Sequence, residues 1–512
     1  MSPETPRLLV AVRPRGAAAA LLACALALLA GCAAEPAPLP PDRSRLWGVE
    51  GELFDPAGPV TDFSFAGYHF GERPLPEVPV VADVRDFGAV GDGVADDSDA
   101  FVAALAATRD GALLVPPGRY RLRQVLRFER SGVVLRGAGP GKSVLYIEPT
   151  LCDVLGEGSH GGPCGWSWGG GFLMAEGRFA PGERLAAVVD PARRGARELR
   201  VSDPSPFAPG RLVRLVESEN ETGSLTLHLH AGNPLKGPCK VNRPGNPLVD
   251  RLLRVVSVEG DRVLFDRPLR VDVRAEWRPE LRSFEPGLEE IGIEHLTVEF
   301  PLVPYRGHHK EIGHNAIFLQ DVWNSWVRDV EVVNFDNGVH FHFARNTTGA
   351  GIVARGRGGH YSLSIRGSHD SLFSDFWLET DSVHDLSNAL LGNGNVYAHG
   401  RGVEVNFDHH RHAPFDNLYT DIDVGDSWQS RRIWKTSPTA SGHVTGARET
   451  FWGVGPRILG ESLPAWPAMT VVGALEGSPA ARAAGGWFEP VADLRPADLY
   501  RAQLARRLGT PP

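Results

Sequence analysis

The stretch from Asn324 to Val332 reads NSWVRDVEV, and its pattern returns as DSLFSDFWL at 370–378 and as DNLYTDIDV at 416–424. The three copies begin 46 residues apart, and the related segments GIVARGRG, at 351, and NVYAHGRG, at 395, fall between them. The repeating unit is therefore about 22–24 residues long. A unit of this length is too short for a strand–helix–strand crossover and is typical of one coil of a parallel β-solenoid.

The composition agrees with a solenoid of short strands. Glycine (59 residues) and proline (41) are frequent and only 22% of residues are charged, which favours tight turns over long helices. Stacked coils bury Val, Ile, Leu and Phe in a dry interior. We therefore expect the strands at Val327, Phe373 and Leu418 to lie in one sheet.

Three segments near the start of the folded body indicate the kind of solenoid. They are DFGAVGDGVADDSDAF at 86–101, LLVPPGRYRL at 113–122 and VVLRGAG at 133–139. Together they resemble the N-terminal cap and first coils of the pectate-lyase-like superfamily, which includes rhamnogalacturonase-like and epimerase-like proteins. The resemblance implies an all-β, single-stranded, right-handed parallel β-helix. We interpret Asp96 and Asp97 as caps of the helix that follows rather than as catalytic carboxylates.

The repeat and its interruptions predict six segments. They are a lipoprotein signal peptide at 1–31, a Pro-rich tether and N-terminal extension at 32–79, the β-helix cap and first coils at 80–164, a small β-rich insertion at 165–285, the main coils at 286–448 and a C-terminal cap at 449–512. Residues 80–164 and 286–445 should form one β-helix that the insertion interrupts. The last segment ends in an amphipathic helix, with Leu499, Leu504 and Leu508 on one face, that we expect to cover the open C-terminal coil.

The N-terminal sequence predicts export. Basic residues precede a short apolar run, Ala17–Leu29, which ends in LAGC and resembles a bacterial lipobox. The resemblance implies lipidation of Cys32 and anchoring to the bacterial cell envelope, at the outer membrane or the cell surface; an ordinary signal peptide is the alternative. In an oxidising compartment Cys152 and Cys164 are the natural disulfide pair, although Cys239 could compete.

Charge and composition limit the partners. The formal net charge is −9 and no Lys/Arg run is present, so nucleic-acid binding is not expected. The family resemblance implies a polysaccharide as the partner, and we expect a monomer. The sequence requires no cofactor, and calcium is compatible with it.

The second strand of each coil carries an unusual number of histidines. These strands read GVHFHF at 338–343, GHYSLSI at 359–365, SVHDLSN at 382–388 and GVEVNFD at 402–408. Alternation turns their polar residues outward, in columns that we interpret as a binding groove rather than as a structural polar ladder. One column is predicted to be a row of His340, His360, His384 and Glu404, one from each coil. The candidate catalytic residues are His340, His360, His384, Glu404 and Asp408. The candidate substrate-binding residues are His342, Arg357, Arg366, Asn388, Asn406 and Arg411. Outward imidazoles would titrate near neutral pH.

Two neighbouring segments bear on this groove. RGHHKEIGH, at 306–314, lies one coil earlier and should overhang the same face. Asp408, His410 and His412 could ligate zinc, but they fall in a turn and no H-E-x-x-H motif is present, so no metal site is predicted.

The superfamily implies polysaccharide cleavage, and three interpretations remain open. For β-elimination of a uronate glycan the base would be His360 or His384, the acid Tyr361 or a neighbouring histidine, and the carboxylate-neutralising group Arg357, Arg366 or Arg411. Alternation points Tyr361 inward, which argues against it. A hydrolase would need two carboxyls, from Glu404 with Asp408 or from Asp336 with Glu311. The polygalacturonase pattern has an acidic pair where this chain has Asp336 and Asn337, which favours the lyase; a non-catalytic glycan-binding solenoid is the third interpretation.

Overall fold

The computed structural model describes Met1 and residues 39–510, apart from 234–241, 411, 427–432, 437–444, 456–462 and 474–477. In these residues the chain winds into a parallel β-helix. Its largest sheet, here called the long sheet, has sixteen strands. They are Val80–Asp83, Asp92–Asp96, Gly111–Val115, Gly118–Leu122, Val133–Gly137, Ser143–Ile147, Gly292–Glu299, Trp326–Val333, Thr348–Arg355, Leu372–Ser374, Trp377–Leu378, Val396–Gly402, Leu418–Asp423, Thr450–Gly455, Thr470–Gly473 and Trp487–Pro490.

The second sheet has eight strands, and every neighbouring pair is parallel. They are Leu126–Phe128, Leu173–Glu176, Asn315–Gln320, Asn337–His342, Tyr361–Arg366, His384–Ala389, Phe407–His409 and Trp434–Thr436. Between the two sheets each coil adds one residue to a chain of single parallel bridges, which we call the bridge line: Trp323, Arg345, His369, Asn393 and Phe415. Leu288–Glu289 and Val322–Trp323 form a further two-stranded pair.

The register of the long sheet confirms the coil interpretation of the repeat. Val327 pairs with Gly349, which pairs in turn with Phe373. Leu418 pairs with Val396, whose strand lies between the strands of Phe373 and Leu418 in the sheet. The strands at Val327, Phe373 and Leu418 therefore lie in one sheet, as predicted, and the fold class is all-β parallel β-helix.

Large side chains stack along the interior of the coils. Ring centroids of Phe341 and Phe373 are 4.4 Å apart, those of Phe373 and Tyr397 5.6 Å, those of Tyr397 and Tyr419 5.2 Å and those of Tyr419 and Phe451 4.8 Å. Each ring comes from a different coil, so burial of one coil depends on the next. The interior is therefore a continuous column rather than a set of separate cores.

The insertion forms a separate antiparallel sheet. Its strands are Arg184–Ala187, Glu198–Arg200, Leu212–Ser218, Pro247–Glu259, Arg262–Phe265 and Glu280–Ser283. On either side of it, Val133–Gly137 and Ser143–Ile147 pair directly with Gly292–Glu299, so the β-helix continues across the insertion. The predicted start of the insertion at 165 is too early, because Leu173–Glu176 is a strand of the second sheet.

Helices are short and lie outside the coils' strands. The α-helices are Ser98–Ala107, Leu151–Leu155, Ser224–Leu229, Pro479–Ala483 and Leu499–Leu508, and the 3₁₀-helices are Tyr68–Gly71, Val84–Phe87 and Ala275–Trp277. Asp96 accepts a hydrogen bond from the backbone N–H of Ser98, the first residue of the helix, as a cap does. Asp97 occupies the N-cap position, but its carboxylate accepts from the backbone N–H of Val90 in the preceding turn and does not cap the helix. Among the described residues no helix combines the length and the apolar character needed to cross a membrane.

The C-terminal segment differs from the prediction. Thr450–Gly455, Thr470–Gly473 and Trp487–Pro490 extend the long sheet instead of leaving the repeat. The helix Leu499–Leu508 does not cover the last coil. Its Leu499 packs with Leu418 on the outer side of the long sheet, because that sheet presents a second apolar surface there.

The N-terminal extension runs along this same outer surface. Ser44 donates a hydrogen bond to Glu489 at 2.8 Å, and Tyr500 donates one to the carbonyl of Ala66 at 2.9 Å. Within the predicted tether and extension at 32–79, the tether therefore ends before Ser44, which is fully buried.

Candidate functional site

The register of the second sheet differs from the predicted columns. His340 pairs with Ser364, Ser364 with Ser387, and Ser387 with Asp408. His340 and Asp408 therefore lie on one line across four strands, with two serines between them.

The other members of the predicted row lie elsewhere. His384 pairs with Tyr361, and His360 immediately precedes that residue. Glu404 is outside the second sheet and forms an antiparallel bridge with Gly425. The predicted row of His340, His360, His384 and Glu404 is wrong, because inward residues set the register of coils of unequal length and sequence spacing alone does not.

Three imidazoles nevertheless meet where the strands of the second sheet begin. The ring centroids of His308 and His360 are 4.7 Å apart, those of His308 and His384 5.3 Å and those of His360 and His384 5.3 Å. His308 comes from the 306–314 loop, which overhangs this face as expected. It is exposed, whereas His360 and His384 are buried.

Backbone and carboxylate oxygens fix the orientation of His360. Its Nδ1 lies 2.8 Å from the carbonyl oxygen of Ser167 and 3.4 Å from Glu311 Oε1. Both oxygens are acceptors, so Nδ1 carries the proton and Nε2 keeps its lone pair. That buried Nε2 has no hydrogen-bond partner.

Asp408 lies beside two further imidazoles, and it is hydrogen-bonded to His410 but not to His384. Its Oδ1 lies 3.2 Å from His384 Nδ1 and 3.4 Å from His410 Nδ1. Ser387 donates a hydrogen bond to the other oxygen at 2.6 Å. The opposite nitrogen of His384, Nε2, lies 3.4 Å from His308 Nε2.

The surrounding protein favours the neutral form of these histidines. Burial lowers the pKa of His360 to about 4, and it lowers the pKa of His384 although Asp408 opposes the shift. His308 is exposed, but partial loss of hydration and the neighbouring His360 and His309 lower its pKa to about 4. Burial alone would raise the pKa of Asp408, but His384 and His410 outweigh it and the pKa falls well below its usual range. The expected titration near neutral pH is therefore wrong, because loops cover the imidazoles.

One covering loop is held by a disulfide. Cys152 and Cys164 are joined across 12 residues of sequence. The chain that follows supplies the Ser167 carbonyl, and Trp168 packs edge-on against His309 with ring centroids 5.6 Å apart. Cys239, the competing cysteine, lies outside the described residues, as does Cys32.

Tyr361 belongs to the cluster rather than to the interior. Its ring stacks on His360 at 4.2 Å and on His384 at 4.9 Å. It also lies 5.3 Å from His340, whose two ring nitrogens are buried without hydrogen-bond partners. The inward orientation predicted by alternation does not hold at this first residue of a strand.

The predicted substrate-binding residues differ in what they contact. Arg357 is bound to Asp336 at 2.8 Å, so its charge is already neutralised. Arg366 has no ion pair among the described residues, and its Nε has no hydrogen-bond partner. It lies at the opposite end of the strand from Tyr361, in register with His342.

Two predicted amides serve the structure instead. Asn388 points inward, because it is in register with Ile365, and it donates a hydrogen bond to Tyr419 at 2.8 Å. Asn406 donates to Asp385 at 2.7 Å. His342 contacts Gln320 at 3.1 Å, and Arg411 lies outside the described residues.

The sequence did not reveal the residues that orient the cluster. Ser167 acts through its carbonyl, which every residue has, and Tyr305 donates a hydrogen bond to Glu311 from a loop without a repeat. His160, which belongs to the disulfide loop, packs against Phe318 with ring centroids 5.5 Å apart. Only the density of histidines in 306–314 hinted at a covering loop.

Comparison with known proteins supports the fold at its N-terminal end. Residues 81–154 match the family described as rhamnogalacturonase A/epimerase, pectate lyase-like. Together with the coil architecture, this match confirms the pectate-lyase-like parallel β-helix. The histidine cluster lies outside the matched stretch.

Two curated proteins share short similar segments with the chain. Mannuronan C5-epimerase AlgE6 of Azotobacter vinelandii is 40% identical over 74 residues, which are 13% of this chain and 8% of that protein. The probable polygalacturonase At3g15720 of Arabidopsis thaliana is 51% identical over 53 residues, 10% of this chain and 12% of that protein. The chain therefore matches about a tenth of the length of either relative.

Solved structures of similar fold are distant in sequence. The tailspike gp61 of Pseudomonas phage phi297 is 13% identical, with a TM-score of 0.43 over 76% of this chain and 61% of that one. The A-module of Azotobacter vinelandii mannuronan C-5 epimerase AlgE4 is 14% identical, with a TM-score of 0.29 over 77% of this chain and 81% of that one.

Proposed function

We propose that the protein is a glycan-active enzyme that cleaves a uronate-containing polysaccharide by β-elimination at the histidine cluster. The observation that carries the proposal is the placement of Asp408 against both His384 and His410. A carboxylate beside Nδ1 fixes the tautomer that presents an unprotonated Nε2, as a general base requires. The N-terminal match to glycan-acting relatives supports a polysaccharide as the substrate.

His410 is the better placed base of the two. His384 Nε2 faces His308 Nε2 at 3.4 Å, whereas the His410 side chain is 13% exposed at the edge of the cluster. In the proposed reaction His410 removes the proton α to the uronate carboxylate. Tyr361, stacked on His360 and His384, is the candidate for protonating the leaving oxygen.

The carboxyls of the site do not support glycoside hydrolysis. A hydrolase needs a protonated carboxyl with a raised pKa as its general acid. Burial would raise the pKa of Glu311, but His360 and Tyr305 lower it to about 2, and Asp408 also has a lowered pKa. Asp336 is bound to Arg357. Glu311 and Asp408 are thus held in the ionised form and Asp336 in an ion pair, while Glu404, the fourth candidate, lies outside the second sheet.

The matched variants His410→Gln and His399→Gln test this proposal. His399 also lies beside an aspartate, Asp421, at 2.6 Å, but on the exposed side of the long sheet. On a panel of uronate glycans the native protein should give an unsaturated, ultraviolet-absorbing product. His410→Gln should lower its rate by about 10²–10⁴-fold, and His399→Gln should leave it unchanged.

Other products would identify other reactions. New reducing ends without ultraviolet absorbance would overturn elimination in favour of hydrolysis. Solvent deuterium entering the uronate without chain cleavage would indicate epimerisation. Glycan binding without any product would indicate a binding solenoid.

We also propose that the protein is exported and anchored to the cell envelope through Cys32. The support is the LAGC sequence after a short apolar run. Cys32→Ser should release the protein from the membrane fraction; unchanged membrane association of that variant would contradict lipidation.

A further inference from the structure

The histidine cluster has the donor atoms of a metal site. One nitrogen from each of His308, His360 and His384 lies within 4.8 Å of the other two. The three residues come from three separate segments of the chain, and the fold brings them to one point. His384 also belongs to a second such group, with Asp408 and His410. His412, considered from sequence, belongs to neither group.

One pair of these nitrogens already has the spacing of two ligands. His308 Nε2 and His384 Nε2 are 3.4 Å apart. A tetrahedral centre with metal–nitrogen bonds of about 2.0–2.1 Å places its ligand nitrogens about 3.3–3.4 Å apart. Nitrogen donors suit zinc, cobalt or nickel and do not suit calcium, which takes oxygen ligands.

Oxygen atoms lie against Nδ1 of two of the three imidazoles, and at His360 one of them is hydrogen-bonded. Metal-bound histidines usually direct the other ring nitrogen to a carbonyl or a carboxylate. Here Ser167 O and Glu311 lie against His360 Nδ1, and Asp408 lies against His384 Nδ1. His360 Nε2 is buried with no hydrogen-bond partner. An unpaired buried nitrogen is costly unless it has another use.

We propose that His308, His360 and His384 bind one divalent transition-metal ion, with zinc as the best fit. The Nδ1 side of His384 is occupied by Asp408, so the metal lies on the Nε2 side.

The metal also completes the proposed reaction. Elimination needs a positive group against the uronate carboxylate. Of the candidate arginines that the structure describes, Arg357 is neutralised by Asp336 and Arg366 lies at the far end of its strand. Three protein ligands leave at least one position open, and the exposed His308 lies at the accessible side. We assign the open position to an oxygen of the uronate carboxylate. This assignment rests on the proposed function, whereas metal binding itself does not.

Metal titration in the absence of glycan tests the inference. Untagged protein, dialysed against a chelator, is titrated with ZnCl₂ in a calorimeter and with CoCl₂ under visible absorption. We expect one equivalent of zinc to bind and cobalt to give the intense bands of a tetrahedral site. His308→Ala should lower the affinity by at least 10²-fold without altering the fold, because His308 is exposed. Asp408→Asn should lower it by about 10–100-fold.

The matched control is His399→Ala, which removes an exposed histidine of the long sheet that also contacts an aspartate. It should leave the stoichiometry and affinity unchanged. Failure of zinc and cobalt to bind, or equal affinity in the native protein and in His308→Ala, would overturn the metal site. Metal binding without glycan cleavage would leave the site standing and contradict only the proposed reaction.

Discussion

The same coils bury polar side chains in two places, and the two places are built differently. On the bridge-line side, Asp370 is bound by Arg270 and Asp416 by Arg448, and every one of these charges is paired. At the histidine cluster, His360 Nε2 is buried and unpaired. Oppositely charged pairs have a structural role, whereas a buried imidazole lone pair without a partner indicates a site for a ligand. The difference separates a structural ladder from a site more clearly than burial does.

The bridge-line side also contains the structural polar ladder that the sequence suggested for the second sheet. Asn395 donates a hydrogen bond to Asn417 at 3.0 Å, and Asn417 donates to Glu449 at 3.0 Å. Both asparagines lie at the start of repeated segments. The ladder therefore exists, but one turn further along each coil than the histidines.

The largest effect is expected from removing a paired charge. Asp370→Ala leaves Arg270, with only 2% of its side chain exposed, without its partner. The free energy of unfolding should fall by about 3–5 kcal/mol in a denaturant titration, while turnover per folded molecule is retained. Glu198→Ala, which breaks the exposed Arg262–Glu198 pair, should leave stability unchanged. A small effect of Asp370→Ala would remove the contrast between the two regions.

The opposite pattern is expected at the cluster. His308→Ala removes an exposed imidazole, so the melting temperature should stay within about a degree of the native value, since surface changes rarely alter stability. Glycan cleavage should fall by about 10²–10³-fold, because the uronate carboxylate of the substrate loses the metal ion proposed to neutralise it. Retained cleavage combined with a lowered melting temperature would make the cluster a structural element.

An intermediate effect is expected for the disulfide loop, which connects the site to overall stability. Replacing Cys152 and Cys164 together by serine should lower the free energy of unfolding by about 2–3 kcal/mol, as expected for a loop of this length. The Ser167 carbonyl would also hold His360 less firmly, so zinc affinity should fall with stability. Unchanged zinc affinity in the double variant would show that the loop does not orient the site.

The smallest effect concerns the end of the asparagine ladder. Burial raises the pKa of Glu449 well above its usual value, Asp416 adds to the shift, and Asn417 opposes it. The nearby His409 is neutral, because burial lowers its pKa to about 3. A raised pKa in the folded protein stabilises below the unfolded value of about 4.3, and this contribution is lost as pH rises through the folded value.

The variant Glu449→Gln should remove that part of the pH dependence. Its stability curve should be flatter than the native one above about pH 4.3 and should lie at or above it at alkaline pH. Thermal melts from pH 4 to 9 would measure both curves. Parallel curves would mean that Glu449 is ionised in the folded protein.

The fold was predictable because every coil of a solenoid has the same apolar pattern and the same strand positions. The period of the repeat placed Val327, Phe373 and Leu418 in one sheet, and each coil restated the same apolar pattern. The site was only partly predictable. His360, His384 and Asp408 do lie together, but the register that joins them depends on coil lengths that differ by several residues. The loops that cover and orient them carry no repeat, and Ser167 contributes a backbone atom.

The chain ends of the described fold are clasped to each other, and this has a mechanical consequence. The backbone N–H of Arg495 donates to the carbonyl of Asp42, the Ser44 hydroxyl donates to Glu489, and the Gln503 side chain donates to the carbonyl of Thr61. A force applied through the N-terminal tether would meet these lateral bonds first, and they would open one after another. The stacked coils would stay outside the line of tension until the clasp had peeled away. The N-terminal extension would therefore detach from the β-helix before the coils themselves unfold.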